Sequence, residues 1–180
     1  MDTIESLDEL IKILKLSDPT NYSRVARRIQ LSKSEFEKFT HWKSDGYSRN
    51  CIERTDVFEL ILICWDAGAC TPVHAHDEQR CWVYQVDGKV NEVRFIENEA
   101  GSLVPSRRLE LTPGNLSYMH DEMGYHALEN KSETTAMSLH LYVSPIDSCQ
   151  VFDTAATAFK NAELDYYSYK GVLEEANISK

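Results

Sequence analysis

After Tyr47 the chain is divided into short apolar or alternating runs, separated by turn residues at close intervals. The runs cover 57–65, 81–86, 89–96, 109–112, 116–119 and 134–143. Asp87-Gly88, between two of them, is typical of a hairpin, and Pro113-Gly114 of a tight turn. Many short strands at this spacing predict a closed or double-sheet β structure.

The first forty residues are expected to be helical. Leucine or isoleucine at 7, 10, 11 and 14 follows helical spacing, and Ser6 with Glu9 forms a capping-box pattern. A second helix is expected around 25–29, and a third from Ser34, with Glu37 completing another box, to near Trp42. We expect one domain over 1–180, with a helical cap at 1–44, a β-barrel core at 45–155 and a carboxy-terminal extension at 156–180.

Charge and composition exclude several classes of function. The 180 residues carry a formal charge of −10 and no long basic run, so nucleic acid and anionic membranes are poor partners. The longest apolar stretch, 60–65, is too short to cross a bilayer. The acidic start lacks a signal-peptide layout, and five irregularly spaced cysteines argue against a disulfide framework. We therefore expect a cytoplasmic monomer with reduced thiols.

The chemistry centres on His74-Ala75-His76. Side chains two residues apart on a strand point to the same face, so both imidazoles could bind one metal ion. The motif alone is a weak signal of a metal site, but its surroundings strengthen it. Gly68 precedes His74 with five residues between them, Cys81 follows His76 with four between, and Gly88 follows Cys81 with six between.

This spacing resembles the first motif of the cupins, with Cys81 where a glutamate usually stands. Pro113-Gly114, His126 and Asn130 resemble the second motif. The resemblance implies a mainly β, cupin-type jelly-roll barrel with helices packed at its amino-terminal side. It also implies His74, His76 and His126 as metal ligands. On the residues alone His120 could replace His126; the family's spacing favours His126.

Losing the glutamate changes the chemistry expected of such a site. Three neutral imidazoles leave a divalent metal at +2 with open positions, so an anionic thiolate can bind it. Three histidines suit zinc, nickel or copper as well as iron.

A second segment narrows the resemblance to the cysteine dioxygenases. Ser138, His140 and Tyr142 alternate on one face of a predicted strand, and Pro145-Ile146-Asp147-Ser148-Cys149 follows. A polar stripe of this kind is often only a solvated face. The resemblance instead implies a relay in which Ser138 orients His140, and His140 orients Tyr142 over the metal.

Further matches concern the substrate. Tyr47-Ser48-Arg49-Asn50 resembles the family segment whose arginine binds the cysteine carboxylate, and Cys81 with Tyr142 resembles the family's thioether pair. The chain departs from the family after Tyr142, because Val143–Ser144 stands where a Ser–Pro bond is usually cis.

The implied reaction is an Fe(II)-dependent conversion of L-cysteine and O2 to cysteine sulfinate. In it the substrate's thiolate and amine bind the iron, Arg49 binds the carboxylate and Tyr142 assists the oxygen chemistry. Two alternatives stay open: another small thiol, such as 3-mercaptopropionate or cysteamine, and a non-catalytic cupin that binds a metal or ligand.

Overall fold

The amino-terminal helices open the computed structural model, which describes residues 2–175. Helix α1 (Leu7–Leu16) begins after Ser6, whose hydroxyl accepts a hydrogen bond from the backbone N–H of Glu9 at 3.2 Å. Three leucines at helical spacing bury its inner face. Helix α2 (Tyr22–Ala26) follows a 3-10 turn at Pro19–Asn21.

The third predicted helix is wrong in type. Lys33–Phe39 is a 3-10 helix, and no side chain caps its start. The Ser34–Glu37 box does not form, because Ser34 lies inside the element and its hydroxyl pairs with that of Ser32 at 2.7 Å.

Twelve strands follow the helices within residues 2–175. In chain order they are β1 (Tyr47–Arg54), β2 (Glu59–Trp65), β3 (Arg80–Asp87), β4 (Val90–Glu97), β5 (Leu103–Leu111), β6 (Leu116–Met119), β7 (Tyr125–Glu129), β8 (Ala136–Val143), β9 (Ser148–Asp153), β10 (Ala158–Glu163), β11 (Ser168–Tyr169) and β12 (Val172–Leu173). A 3-10 turn at Asp121–Met123 precedes β7. The expected mainly β fold is confirmed.

The strands form three sheets. A seven-stranded sheet has the order β12-β11-β1-β2-β8-β3-β6, a three-stranded sheet the order β5-β4-β7, and β9 pairs with β10. The hairpin predicted at Asp87-Gly88 is therefore wrong: β3 and β4 belong to different sheets, and this turn joins them. Gly88 has φ +65°, and a Cβ there would lie 2.8 Å from the Ala136 side chain, so the crossing requires glycine.

Two hydrophobic cores lie on opposite faces of the seven-stranded sheet. One packs β2, β3 and β8 against the helices, and the other fills the barrel between the sheets. On β2, Leu60 and Leu62 face the helices, whereas Ile61, Ile63 and Trp65 face the barrel interior. Every residue of β2 is buried, which explains why its sequence is almost continuously apolar.

Two further features bear on the expectations. The Val143–Ser144 peptide bond, at the end of β8, is cis. Within residues 2–175, no helix has the length and apolar character needed to span a membrane.

Candidate metal centre and substrate cavity

Three histidines converge inside the barrel. His74 and His76 lie in the segment between β2 and β3, and His126 lies on β7; one ring nitrogen from each falls within 4.8 Å of the others. His74 and His126 exchange backbone hydrogen bonds of 2.9 and 3.1 Å, which hold the segment against β7. His74-Ala75-His76 is not part of a strand: His74 makes only isolated bridges. The two side chains nevertheless reach one point.

His120 is placed elsewhere. Its ring packs on that of Tyr118 at 5.4 Å, and the histidine group does not include it. Of the two candidates for the third ligand, the structure brings His126 to His74 and His76.

The outer contacts of the three imidazoles differ. Nδ1 of His74 donates to the carbonyl of Pro72 at 3.0 Å, and Nδ1 of His126 lies 2.9 Å from Oε1 of Glu92. Both arrangements turn Nε2 toward the centre of the group, where the two Nε2 atoms are 3.1 Å apart. Neither ring nitrogen of His76 has a hydrogen-bond partner, although the residue is fully buried.

Burial keeps the rings of His74 and His76 neutral. It lowers the pKa of His74 to about 3, helped by the neighbouring His126, and lowers the pKa of His76 well below its ordinary value. A neutral imidazole has the free lone pair that a metal requires. The donor set and the unsatisfied nitrogens of His76 fit a divalent metal ion.

Glu92 is a site residue that sequence reasoning missed. It lies on β4 with no exposed surface, and both its oxygens accept hydrogen bonds. Burial alone would raise its pKa, but the hydrogen bonds from His126 and Ser117 and the charge of Arg94 lower it to about 2. The only sequence signal was a carboxylate at an inward position of an apolar strand.

Cys81 and Tyr142 are direct cross-strand partners on β3 and β8. Burial raises the pKa of both groups. The Tyr142 ring lies 6.4 Å from that of His76, so the pair stands beside the histidine group.

The predicted stripe on β8 forms a hydrogen-bond chain inside the barrel. The Ser138 hydroxyl lies 2.9 Å from Nε2 of His140, and Nδ1 of His140 lies 3.4 Å from the Tyr142 oxygen. Burial lowers the pKa of His140 to about 3. Trp65, which the sequence did not single out, donates its indole N–H to the Ser138 oxygen at 2.8 Å.

Trp65 sets the donor-to-acceptor direction of this chain of hydrogen bonds. An indole can only donate, so the Ser138 oxygen accepts from it, and among the described residues Nε2 of His140 is the only acceptor within reach of the serine's own hydrogen. A neutral His140 that accepts at Nε2 carries its hydrogen on Nδ1, facing the Tyr142 oxygen. The hydroxyl hydrogen of Tyr142 is then free to donate elsewhere.

A cavity of about 60 Å³ is lined both by His74 of the histidine group and by Arg49. Tyr47 of β1, His140, Tyr142 and Cys149 also line it. Tyr47 and Arg49 also line a wider groove of about 940 Å³ at the surface.

The Arg49 guanidinium is buried with both terminal nitrogens lacking hydrogen-bond partners. Glu59 approaches one of them, but only to 3.9 Å. The two Glu59 oxygens instead accept hydrogen bonds from Arg54 and from the backbone N–H of Ile146. Two parallel donors therefore remain for a ligand carboxylate.

Comparison with known proteins gives consistent results. A family model described as cysteine dioxygenase type I matches residues 2–155. Cysteine dioxygenase type 1 of Danio rerio is 29% identical over 178 residues, covering 93% of this chain and 89% of the relative. Cysteine dioxygenase type 1 of Homo sapiens is 27% identical over 177 residues, covering 93% and 88%.

Solved structures with partial likeness include a cupin-superfamily sugar phosphate isomerase from Silicibacter pomeroyi and the polyketide cyclase RemF from Streptomyces resistomycificus. The first is 20% identical, covers 74% of this chain and 84% of its own, and has a TM-score of 0.47. The second is 15% identical, covers 63% and 75%, and has a TM-score of 0.49.

Proposed function

The chain belongs to the cysteine dioxygenase type I family, and from that premise we propose that it oxidises L-cysteine to cysteine sulfinate with O2 at an iron(II) centre. The observation that carries this is the arrangement of the cavity. The cavity is lined by His74, one of the three converging histidines, and by a buried guanidinium with unpaired donors. An amino acid with a thiol matches both features at once.

His74, His76 and His126 would hold the metal. Bound iron(II) would supply the redox chemistry with O2 and a positive centre for the substrate thiolate. Zinc suits the same ligands but has no redox chemistry, so the reaction favours iron.

Arg49 and Tyr47 are proposed to bind the substrate. The guanidinium gives two parallel hydrogen bonds to the cysteine carboxylate, a geometry that a lysine ammonium cannot copy. Tyr47 packs on Trp65 with a ring separation of 5.2 Å and closes the same wall of the cavity. Binding the carboxylate would satisfy the buried donors that the protein leaves open.

Tyr142, oriented by Ser138 and His140, is proposed to donate its free hydrogen to the reacting oxygen. Such a donor stabilises charge that develops during oxygen transfer. We also propose a thioether between Cys81 and Tyr142, which their cross-strand contact allows. Forming this bond removes two hydrogen atoms, with O2 as the oxidant, and intact-protein mass spectrometry would detect that loss.

The reaction balances without an external reductant, because one O2 adds both atoms to one thiol. The test is aerobic turnover of iron(II)-loaded protein, with O2 uptake and product mass followed together. We expect one O2 consumed per cysteine and a product heavier by two oxygen atoms. His126→Ala should abolish uptake and His120→Ala should retain it, both being checked for folding by circular dichroism. Bound iron without O2 uptake from cysteine would refute the proposal.

A further inference from the structure

We propose that Glu92 is a positioning residue for metal binding: it fixes the ring and the tautomer of His126 so that Nε2 faces the metal. The inference rests on the proposed function only in taking His74, His76 and His126 as metal ligands. It assigns a role to a buried acidic side chain that is not itself one of the three converging candidate ligands.

The strand register places Glu92 behind His126. On β4, Glu92 and Arg94 are two residues apart and share a face, and Arg94 is the direct partner of His126 on β7. Oε1 of Glu92 lies 2.9 Å from Nδ1 of His126, on the side of the ring away from His74. The carboxylate therefore contacts the outer nitrogen of the ring.

Other donors hold the carboxylate in place. Oε1 also accepts from Nε of Arg94 at 3.2 Å. Oε2 accepts from the Ser117 hydroxyl at 2.5 Å and from the Arg94 guanidinium at 3.3 Å. Arg94 is held in turn by Ser117 at 3.0 Å and by the carbonyl of Tyr118 at 2.9 Å. Glu92 is thus an acceptor at both ends and cannot turn without breaking several of these bonds.

This saturation decides the tautomer of His126. Arginine has only hydrogen-bond donors, so Arg94 donates to both oxygens of Glu92, and the carboxylate acts only as an acceptor. The contact to His126 is then satisfied when Nδ1 carries the hydrogen and donates it. Nε2 is left with its lone pair, which is the form of imidazole that binds a metal.

The other two histidines show what Glu92 adds. His74 is oriented by a backbone carbonyl, and His76 by no hydrogen bond of its own ring. Only His126 is oriented by a charged side chain, so within residues 2–175 a single substitution can remove the outer contact of one ligand and leave the ligands themselves intact.

Glu92→Gln is the direct test, because glutamine keeps the volume but can accept at only one end. The NH2 group of its amide would then face hydrogen-bond donors: either those of Arg94 and Ser117 or the N–H of His126. We expect the dissociation constant for the metal to rise about 10- to 100-fold, the range typical when such outer contacts are lost. Cobalt(II) serves as the probe, since its visible absorption reports ligand geometry, and anaerobic iron(II) titration gives the second value.

Glu59→Gln is the matched control. Glu59 is an equally buried glutamate of the barrel, but it contacts Arg54 and the backbone of Ile146 and no histidine of the group. We expect its cobalt affinity and spectrum to equal those of the wild type. Glu92→Asp is the second variant: it keeps the charge beside Arg94 but withdraws the carboxylate from His126, so metal binding should also weaken.

Thermal unfolding of the metal-free variants distinguishes a loss of metal binding in folded protein from a loss of the fold itself. Weaker cobalt binding with an altered spectrum, in protein that is folded without metal, supports the inference. Wild-type affinity in folded Glu92→Gln or Glu92→Asp overturns it, as does an equal loss in Glu59→Gln. Turnover by the wild type is measured separately: if it binds cobalt but shows no cysteine-dependent O2 uptake with iron, the proposed function fails while the positioning result is still decided.

Discussion

Arg49 and His76 share an unusual property at the scale of single residues. Both have buried nitrogen atoms without a hydrogen-bond partner among the described residues. Leaving such a group unsatisfied costs about 1–3 kcal/mol, and more when it is charged. A fold that leaves both groups unsatisfied is built to gain these contacts from a ligand, with His76 toward a metal and Arg49 toward an anion.

Substituting Arg49 should therefore weaken substrate binding more than metal binding. We expect Arg49→Ala to raise the KM for cysteine by about 10- to 100-fold, since hydrogen bonds to charged groups contribute about 1.5–3 kcal/mol. The iron content should stay at the wild-type level. Steady-state O2 uptake and metal analysis measure the two effects.

Cysteamine provides the matched control for Arg49, because it has the thiol and the amine of cysteine but no carboxylate. Whatever rate the wild type shows with cysteamine, Arg49→Ala should keep it within about twofold. An Arg49→Ala enzyme with unchanged KM for cysteine would contradict the assignment of this residue as the carboxylate-binding group.

At the scale of elements, strands β2 and β8 together hold the hydrogen-bond chain that ends at Tyr142. Ser138 pairs directly with Ile63 across the two strands, and Trp65 reaches it from the same face of β2. The chain thus has its first donor on one strand and its remaining members on the next. Its direction depends on the pairing of the strands, which no single segment of sequence contains.

Trp65→Phe should reveal that direction. Phenylalanine keeps an aromatic ring in the barrel core but removes the N–H, so the Ser138 hydroxyl is no longer committed to His140. We expect kcat to fall about tenfold, the equivalent of one buried hydrogen bond, with the KM for cysteine within about twofold. Since Tyr47 packs on Trp65, a change confined to KM would instead mean that the indole acts through the substrate wall.

The elements also show how far the sequence could predict this protein. Alternation located most strands and put Ser138, His140 and Tyr142 on one face, because side-chain direction in a strand is a local property. The Asp87-Gly88 turn was misread as a hairpin because sheet membership depends on distant partners. The same limit hid Glu92, whose contact with His126 exists only through the pairing of β4 with β7.

On the scale of the whole molecule, the fold places His74, His76, His126 and His140 in the interior of the barrel. His140 is held neutral there, with burial lowering its pKa to about 3, whereas in the unfolded chain a histidine has its ordinary value near 6.5. The folded-state pKa is the lower one, so His140 contributes stability above pH 6.5, and that contribution is lost as the pH falls toward 3. Between those values the unfolded chain binds one more proton at this residue than the folded protein does.

Acid should therefore destabilise the metal-free protein, and His140 should contribute to the slope of its stability against pH. That contribution is about 1.4 kcal/mol per pH unit in this window, as protons bind preferentially to the unfolded chain. Urea unfolding from pH 7 to pH 4.5 gives the slope for the wild type. His140→Gln removes one titrating group, so its slope should be shallower by up to that amount.

Ser138→Ala distinguishes titration from mere packing, because it removes the hydrogen bond to Nε2 but leaves the imidazole buried. It should lower the free energy of unfolding at every pH and keep the wild-type slope. If His140→Gln also kept that slope, His140 would be taking up protons in the folded protein, and the neutral form required for donation to Tyr142 would not be the form present near pH 5. The measurement therefore tests the charge state of the hydrogen-bond chain through the stability of the whole fold, without depending on turnover.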